Sequence, residues 1–176
     1  MTAVAAYTNG EKVWMAGDSF CGHEESTDLC AESKIIPAAQ GKLLVGVCGT
    51  IRQSVVLEST LRMLDNMKPE IITADYIRND FPTMFLQQLE EHNALPEMEG
   101  QKILGNAGYL FAIEGRIFYM EADFGVWESS KPIAAIGAGR TLVVGALSRS
   151  YKTLAKSTKP QNELFKALEV ASEWSA

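Results

Sequence analysis

Residues 2–19 read TAVAAYTNGEKVWMAGDS. The first seven are small and β-compatible, Asn9-Gly10 is a tight-turn dipeptide, and Val13-Trp14-Met15-Ala16 returns as a second strand. A hairpin that begins at the second residue is unusual, because the first residues of most domains are left to fray. An N-terminus tied into a sheet core in this way marks Thr2 as a position of interest.

The rest of the chain is read from the same signals. Lys34-Ile35-Ile36 is a short strand, and GKLLVGVCG is a continuous apolar run bounded by glycines, as a buried central strand requires. Ile51, Val55, Leu61 and Leu64 recur at helical spacing between Thr50, a capping residue, and Lys68-Pro69, a stop. Thr73 to His92 reads as one helix with Pro82 at a kink, and residues 93–105 as a loop. AGYLFAIEGRIFYMEAD is a second hairpin about Glu114-Gly115, and PIAAIG is another short buried strand. Two helical patterns close the chain, one over 140–156. The other follows Pro160 and carries Leu164, Leu168, Ala171 and Trp174 on one face. Strands, two helices, strands and two helices bury every apolar face if two antiparallel sheets lie between two helical layers. The expected fold is α+β, a four-layer αββα sandwich, in a single domain over residues 1–176.

Composition narrows the function. With 176 residues, 47% of them apolar and 22% charged, the chain can bury an ordinary core. Its net charge of −6 opposes a nucleic-acid partner, which needs Lys and Arg against phosphate. No apolar run approaches the ~20 residues of a membrane span, and the opening strand is too short for a secretory leader. Three cysteines fit a reducing, cytoplasmic setting better than a disulfide framework. Cys21, His23 and Cys30 match no zinc spacing, so no metal is expected, and no sequence motif calls for a cofactor.

P-loop, GxGxxG, GxSxG and HExxH motifs are all absent. What remains is the N-terminus. Once Met1 is removed, Thr2 holds a hydroxyl beside a free α-amine, and an ordinary α-amine (pKa about 7.7–8.0) can take that hydroxyl's proton near neutrality. With Met1 attached, the nitrogen is an amide and has no basicity to offer. Such a nucleophile needs a nearby cation, a carboxylate to hold that cation, and a backbone N–H for the oxyanion. Asp18 ends the second strand, Lys34 begins the third and Gly46 lies within the fourth. Read separately, Asp18 and Lys34 are equally a structural ion pair, and Gly46 a residue that admits a close strand.

Together these residues resemble the proteasome β-subunits and, more closely, the HslV peptidase, which are N-terminal-nucleophile hydrolases with an αββα sandwich. Asp18 lies sixteen and Lys34 thirty-two residues after Thr2, intervals similar to the family's own. LLVGVCGT resembles the stretch that supplies its oxyanion hole, IAAIGAGR its Gly-Ser-Gly turn, and ALEVASEWSA its late helix. The resemblance covers nearly the whole chain. It implies a threonine endopeptidase in which Thr2 is the nucleophile, Lys34 tunes it, Asp18 orients Lys34 and the Gly46 N–H holds the oxyanion. It further implies a homo-oligomeric ring around an inner chamber, an ATP-driven (AAA+) unfoldase and an unfolded polypeptide substrate. Leu44 and Cys48, flanking Gly46, are the expected apolar substrate pocket.

The resemblance breaks where supporting hydroxyls belong. Ala138 replaces the turn serine, and the late-helix Asp-x-x-Ser aligns with Glu173 and Ala176. Those departures favour a second reading, a catalytically silent structural subunit of a ring or of a larger assembly such as a virion. A third reading, a small-molecule amidase of the same nucleophile class, ranks below both.

Overall fold

A computed structural model describes residues 2–21, 28–29, 33–98 and 100–174. Met1, His23, Cys30 and Ala176, each named above, lie outside the described residues. In chain order the elements are β1 (Val4–Thr8), β2 (Val13–Gly17), β3 (Phe20–Cys21), β4 (Asp28–Leu29), β5 (Ile35–Ala38) and β6 (Leu43–Cys48). Helices α1 (Ile51–Asp65), α2 (Ala74–Asn79) and α3 (Phe81–Glu91) follow, then β7 (Glu97–Met98) and β8 (Gln101–Lys102). The second half contains β9 (Gly108–Ile113), β10 (Arg116–Met120), β11 (Val126–Glu128), β12 (Ile133–Ile136), α4 (Arg140–Leu154) and α5 (Pro160–Trp174).

Two antiparallel sheets form the interior, one in the order β12-β1-β2 and the other β11-β10-β9-β6-β5. Strand alternation sorts their side chains into three apolar layers. Ala3, Ala5 and Tyr7 of the first hairpin pack with Val143, Leu147, Leu164 and Leu168 of α4 and α5. Val4 and Ala6 point the other way and meet Cys48, Leu110, Ile117 and Ile136 between the sheets. Val45, Phe111 and Phe118 turn outward from the second sheet onto Leu57, Leu61, Phe81 and Phe85 of the α1–α3 layer. A strand buried on both faces has no polar position to spare, which is why residues 4–6 are fully buried and wholly apolar. The expected four-layer αββα sandwich is the observed one.

Several local expectations need correction. The single helix over 73–92 is two helices that meet at Asp80. Thr73 caps the first by accepting from Tyr76 N, and Pro82 sits in the first turn of the second, where its missing N–H costs nothing. On α1 the buried stripe is Gln53, Val56, Leu57, Thr60, Leu61 and Leu64, so Ile51 and Val55 face outward at 65% and 55% exposure. Trp174 continues the apolar stripe of α5 in sequence but is 76% exposed in the last turn of the helix. The 93–105 loop contains the two-residue pairing of β7 with β8, and the edge strand β11 was not expected from its polar surroundings.

Gly46 has a packing role. Its missing side chain points across the inter-sheet layer, and a Cβ there would lie 2.7 Å from Val4 Cγ1. Val47 N donates to Lys34 O at 2.9 Å, so strand alternation turns the neighbouring Gly46 N–H toward Leu110 of β9. The expected oxyanion donor is therefore committed to the sheet. Gly46→Ala is predicted to destabilise the fold by about 1–3 kcal/mol, as overpacking does, and a urea melt measures the loss.

Candidate active site

The hairpin register creates the first half of the site. Val4 pairs with Gly17, so the next pair along sets Ala3 against Asp18, and Asp18 N donates to Ala3 O at 3.1 Å. The Asn9 side chain fixes that register by accepting from Glu11 N and Lys12 N at 3.0 and 2.8 Å. A slip of one residue would send Asp18 to the opposite face of the sheet.

Lys34 arrives from the other sheet, one residue ahead of β5. Its Nζ donates to Asp18 Oδ1 at 2.5 Å, to the Phe20 carbonyl at 2.5 Å and to Thr2 Oγ1 at 3.3 Å. These three acceptors match the three protons of the ammonium. The pair is largely withdrawn from water, with the Lys34 side chain 12% and the Asp18 side chain 19% exposed. Asp18 is equally well occupied, since Phe20 N donates to Oδ1 at 2.8 Å and Ala3 N donates to Oδ2. Thr2, Asp18 and Lys34 thus converge as expected, and the Thr2 hydroxyl is the third ligand of a fixed cation.

The other expected residues lie elsewhere. Leu44 is four residues from Cys48 on the same face of β6, roughly 13 Å along the strand, so the two form no common pocket. Cys48 is close to Thr2 but buried in the inter-sheet layer. Ala138 is exposed in the turn between β12 and α4, while its neighbour Gly139 donates its N–H to Thr2 O at 3.3 Å. Glu173 is exposed on the last turn of α5, and no contact among the described residues joins it to Thr2.

Two backbone features of this end of the sandwich escaped the sequence. The Phe20 carbonyl is a backbone group, which residue type cannot mark. Gly49 directly follows β6 with a φ of +153°, where few residues other than glycine are at ease. Its N–H follows that of Val47 by two positions, so strand alternation directs it to the β5 side of β6, past the point where β5 begins. Its signal was a second glycine in GVCGT, directly before the helix cap. Among the described residues, no three His, Cys, Asp or Glu side chains converge as metal ligands would.

With this geometry in hand, comparison with known proteins is informative. No protein-family model matches the sequence, and no curated protein does. Solved structures do match. Thiobacillus denitrificans BPH superposes with a TM-score of 0.79 at 22% identity, over 98% of this chain and 90% of that one. Its complex with epoxomicin gives 0.75 at 21%, over 98% and 91%. Eukaryotic HslV from Trypanosoma brucei gives 0.62 at 16%, again over 98% and 91%. This chain has the HslV fold. The match spans both sheets and both helical layers, so the Thr2 end of β1 lies within the shared architecture. No helix among the described residues is long and apolar enough to cross a membrane.

Cys48 tests the packing around Thr2. Burial pushes its thiol up to about 12, against the opposing pull of the Lys34 cation. Only the thiolate attacks alkylating reagents, so at pH 8 about one molecule in 10⁴ is reactive at this position. Iodoacetamide is predicted to leave the Cys48 peptide of the native protein unlabelled and to label it fully in urea, as read by peptide mass mapping.

Proposed function

We propose that this chain is a threonine-type endopeptidase of the HslV kind, with Thr2 as its N-terminal nucleophile after removal of Met1. The observation that carries the reading is the 3.3 Å contact between Lys34 Nζ and Thr2 Oγ1 within a largely buried Lys34–Asp18 pair. A purely structural ion pair has no need of a hydroxyl at the free end of a strand as its third partner.

The Thr2 amine takes the hydroxyl proton while Oγ1 attacks the carbonyl carbon of a peptide bond. Lys34 stabilises the oxygen as it gains negative charge, and Asp18 with the Phe20 carbonyl holds Lys34 in place. The tetrahedral oxyanion is received by the Gly49 N–H in place of the expected Gly46. The protonated amine then gives its proton to the departing peptide nitrogen, leaving an ester on Thr2 that water hydrolyses. By likeness to the HslV fold, the substrate is an unfolded polypeptide admitted to a cytoplasmic homo-oligomeric ring by an AAA+ unfoldase.

Ala138 supports the alternative, a silent structural subunit on the same fold in a ring or larger assembly. It places a methyl group where the resemblance expects a hydroxyl to support the Thr2 amine.

Intact mass and labelling with a peptide epoxyketone separate the two readings. The enzyme is predicted to lack one Met and to gain a single adduct that Thr2→Ala abolishes and that Lys34→Ala slows by about 10²-fold or more. Retained Met with no adduct, under conditions where a control peptidase labels, leaves the structural subunit.

A further inference from the structure

The geometry points to Gly137 and Gly139 as positioning residues that clamp the main chain of Thr2, an inference that rests on Thr2 being the nucleophile. At Gly137 the chain leaves β12 with a φ of +90°. A Cβ there would overlap the Thr2 carbonyl oxygen, 2.9 Å from the carbonyl carbon and 3.0 Å from Cys48 Sγ. Any side chain at position 137 would therefore meet both the Thr2 carbonyl and the buried Cys48 thiol, so the turn approaches Thr2 this closely only with glycine there. Two residues on, Gly139 N donates to Thr2 O at 3.3 Å.

The other side of the same peptide unit is gripped as firmly. Ala3 N, which shares the Thr2–Ala3 peptide plane, donates to Asp18 Oδ2. One planar unit is therefore fixed at its oxygen by the 137–139 turn and at its nitrogen by Asp18. With that plane fixed, rotation about the Thr2 Cα–C bond and about χ1 decides where the amine and hydroxyl point, and the Lys34 contact to Oγ1 sets the hydroxyl. The clamp thus aims the nucleophile without touching a reacting atom. A displacement of about 1 Å at such a place can cost about 10²-fold in rate.

Three variants of the full chain test this. Gly137→Ala introduces both an unfavourable φ and the overlap with Thr2. Gly10→Ala carries the same backbone penalty, since Gly10 has a φ of +92°, but nothing lies within 4 Å of its Cβ. Gly139→Pro adds little backbone strain, because its φ of −78° suits proline, yet it replaces the donor N–H with a ring carbon. Two readouts are taken: amide hydrogen exchange at Ala3, and the kinact and KI of a peptide epoxyketone.

Gly137→Ala and Gly139→Pro are expected to lower Ala3 protection by about tenfold or more and kinact by about 10²-fold, with KI within about twofold of the parent. Gly10→Ala is expected to leave all three unchanged. Partial unfolding would reduce the labelled fraction without selectively lowering kinact. Parental Ala3 protection and kinact in both turn variants overturn the clamp. If the unmutated chain takes up no label, the peptidase reading fails and hydrogen exchange at Ala3 alone decides the clamp.

Discussion

The Asp18 carboxylate joins the two sheets at the end of the sandwich where β1 begins. It accepts from Ala3 N on one side, from Phe20 N beyond its own strand, and from Lys34 Nζ, which reaches across from the second sheet. Three donors on one partly buried carboxylate satisfy it without water, and each comes from a different segment. Removing any of them would strand charge in a poorly solvated place. The start of β1, the start of β5 and the turn before β3 are therefore located by a single side chain.

A pair of this kind is a poor device for stability alone. Withdrawing an ammonium and a carboxylate from water costs several kcal/mol each, and an apolar pair of similar volume is often no worse. What the pair adds here is position. Lys34 has three protons and three fixed acceptors, one of which is the Thr2 hydroxyl, so the cation sits beside that hydroxyl with little freedom to move. A charge that is fixed before the reaction need not be reorganised during it, and this is where an electrostatic contribution to catalysis is largest.

The far end of the sandwich shows the same economy of backbone contacts. Thr8 Oγ1 donates to the Gly115 carbonyl, and Gly10 N donates back to Thr8 Oγ1 at 2.9 Å, so the tips of the two hairpins are tied together. A Cβ on Gly115 would lie 2.8 Å from the Gly10 carbonyl carbon. With Gly46 against Val4 and Gly137 against Thr2 near the other end, glycine marks places where one sheet or turn approaches another closely.

Much of this was legible in the residues themselves. Alternation and turn chemistry located both hairpins and apolar runs located the doubly buried strands, because short-range periodicity is written into side-chain type, while the convergence of Thr2, Asp18 and Lys34 was what the family resemblance implied. Side-chain type could not tell Gly46 from Gly49, since their difference lies in where each N–H points, and that depends on which strand pairs on which side. It could not show that Ile51, Val55 and Trp174, apolar as they are, stay exposed. Nor could it show the Phe20 carbonyl on Lys34 or the 137–139 turn on Thr2, which are contacts of backbone atoms common to every residue. The sequence determined the layers and the charged core of the site. Tertiary structure alone decided which main-chain groups complete it, because their roles arise from register and proximity.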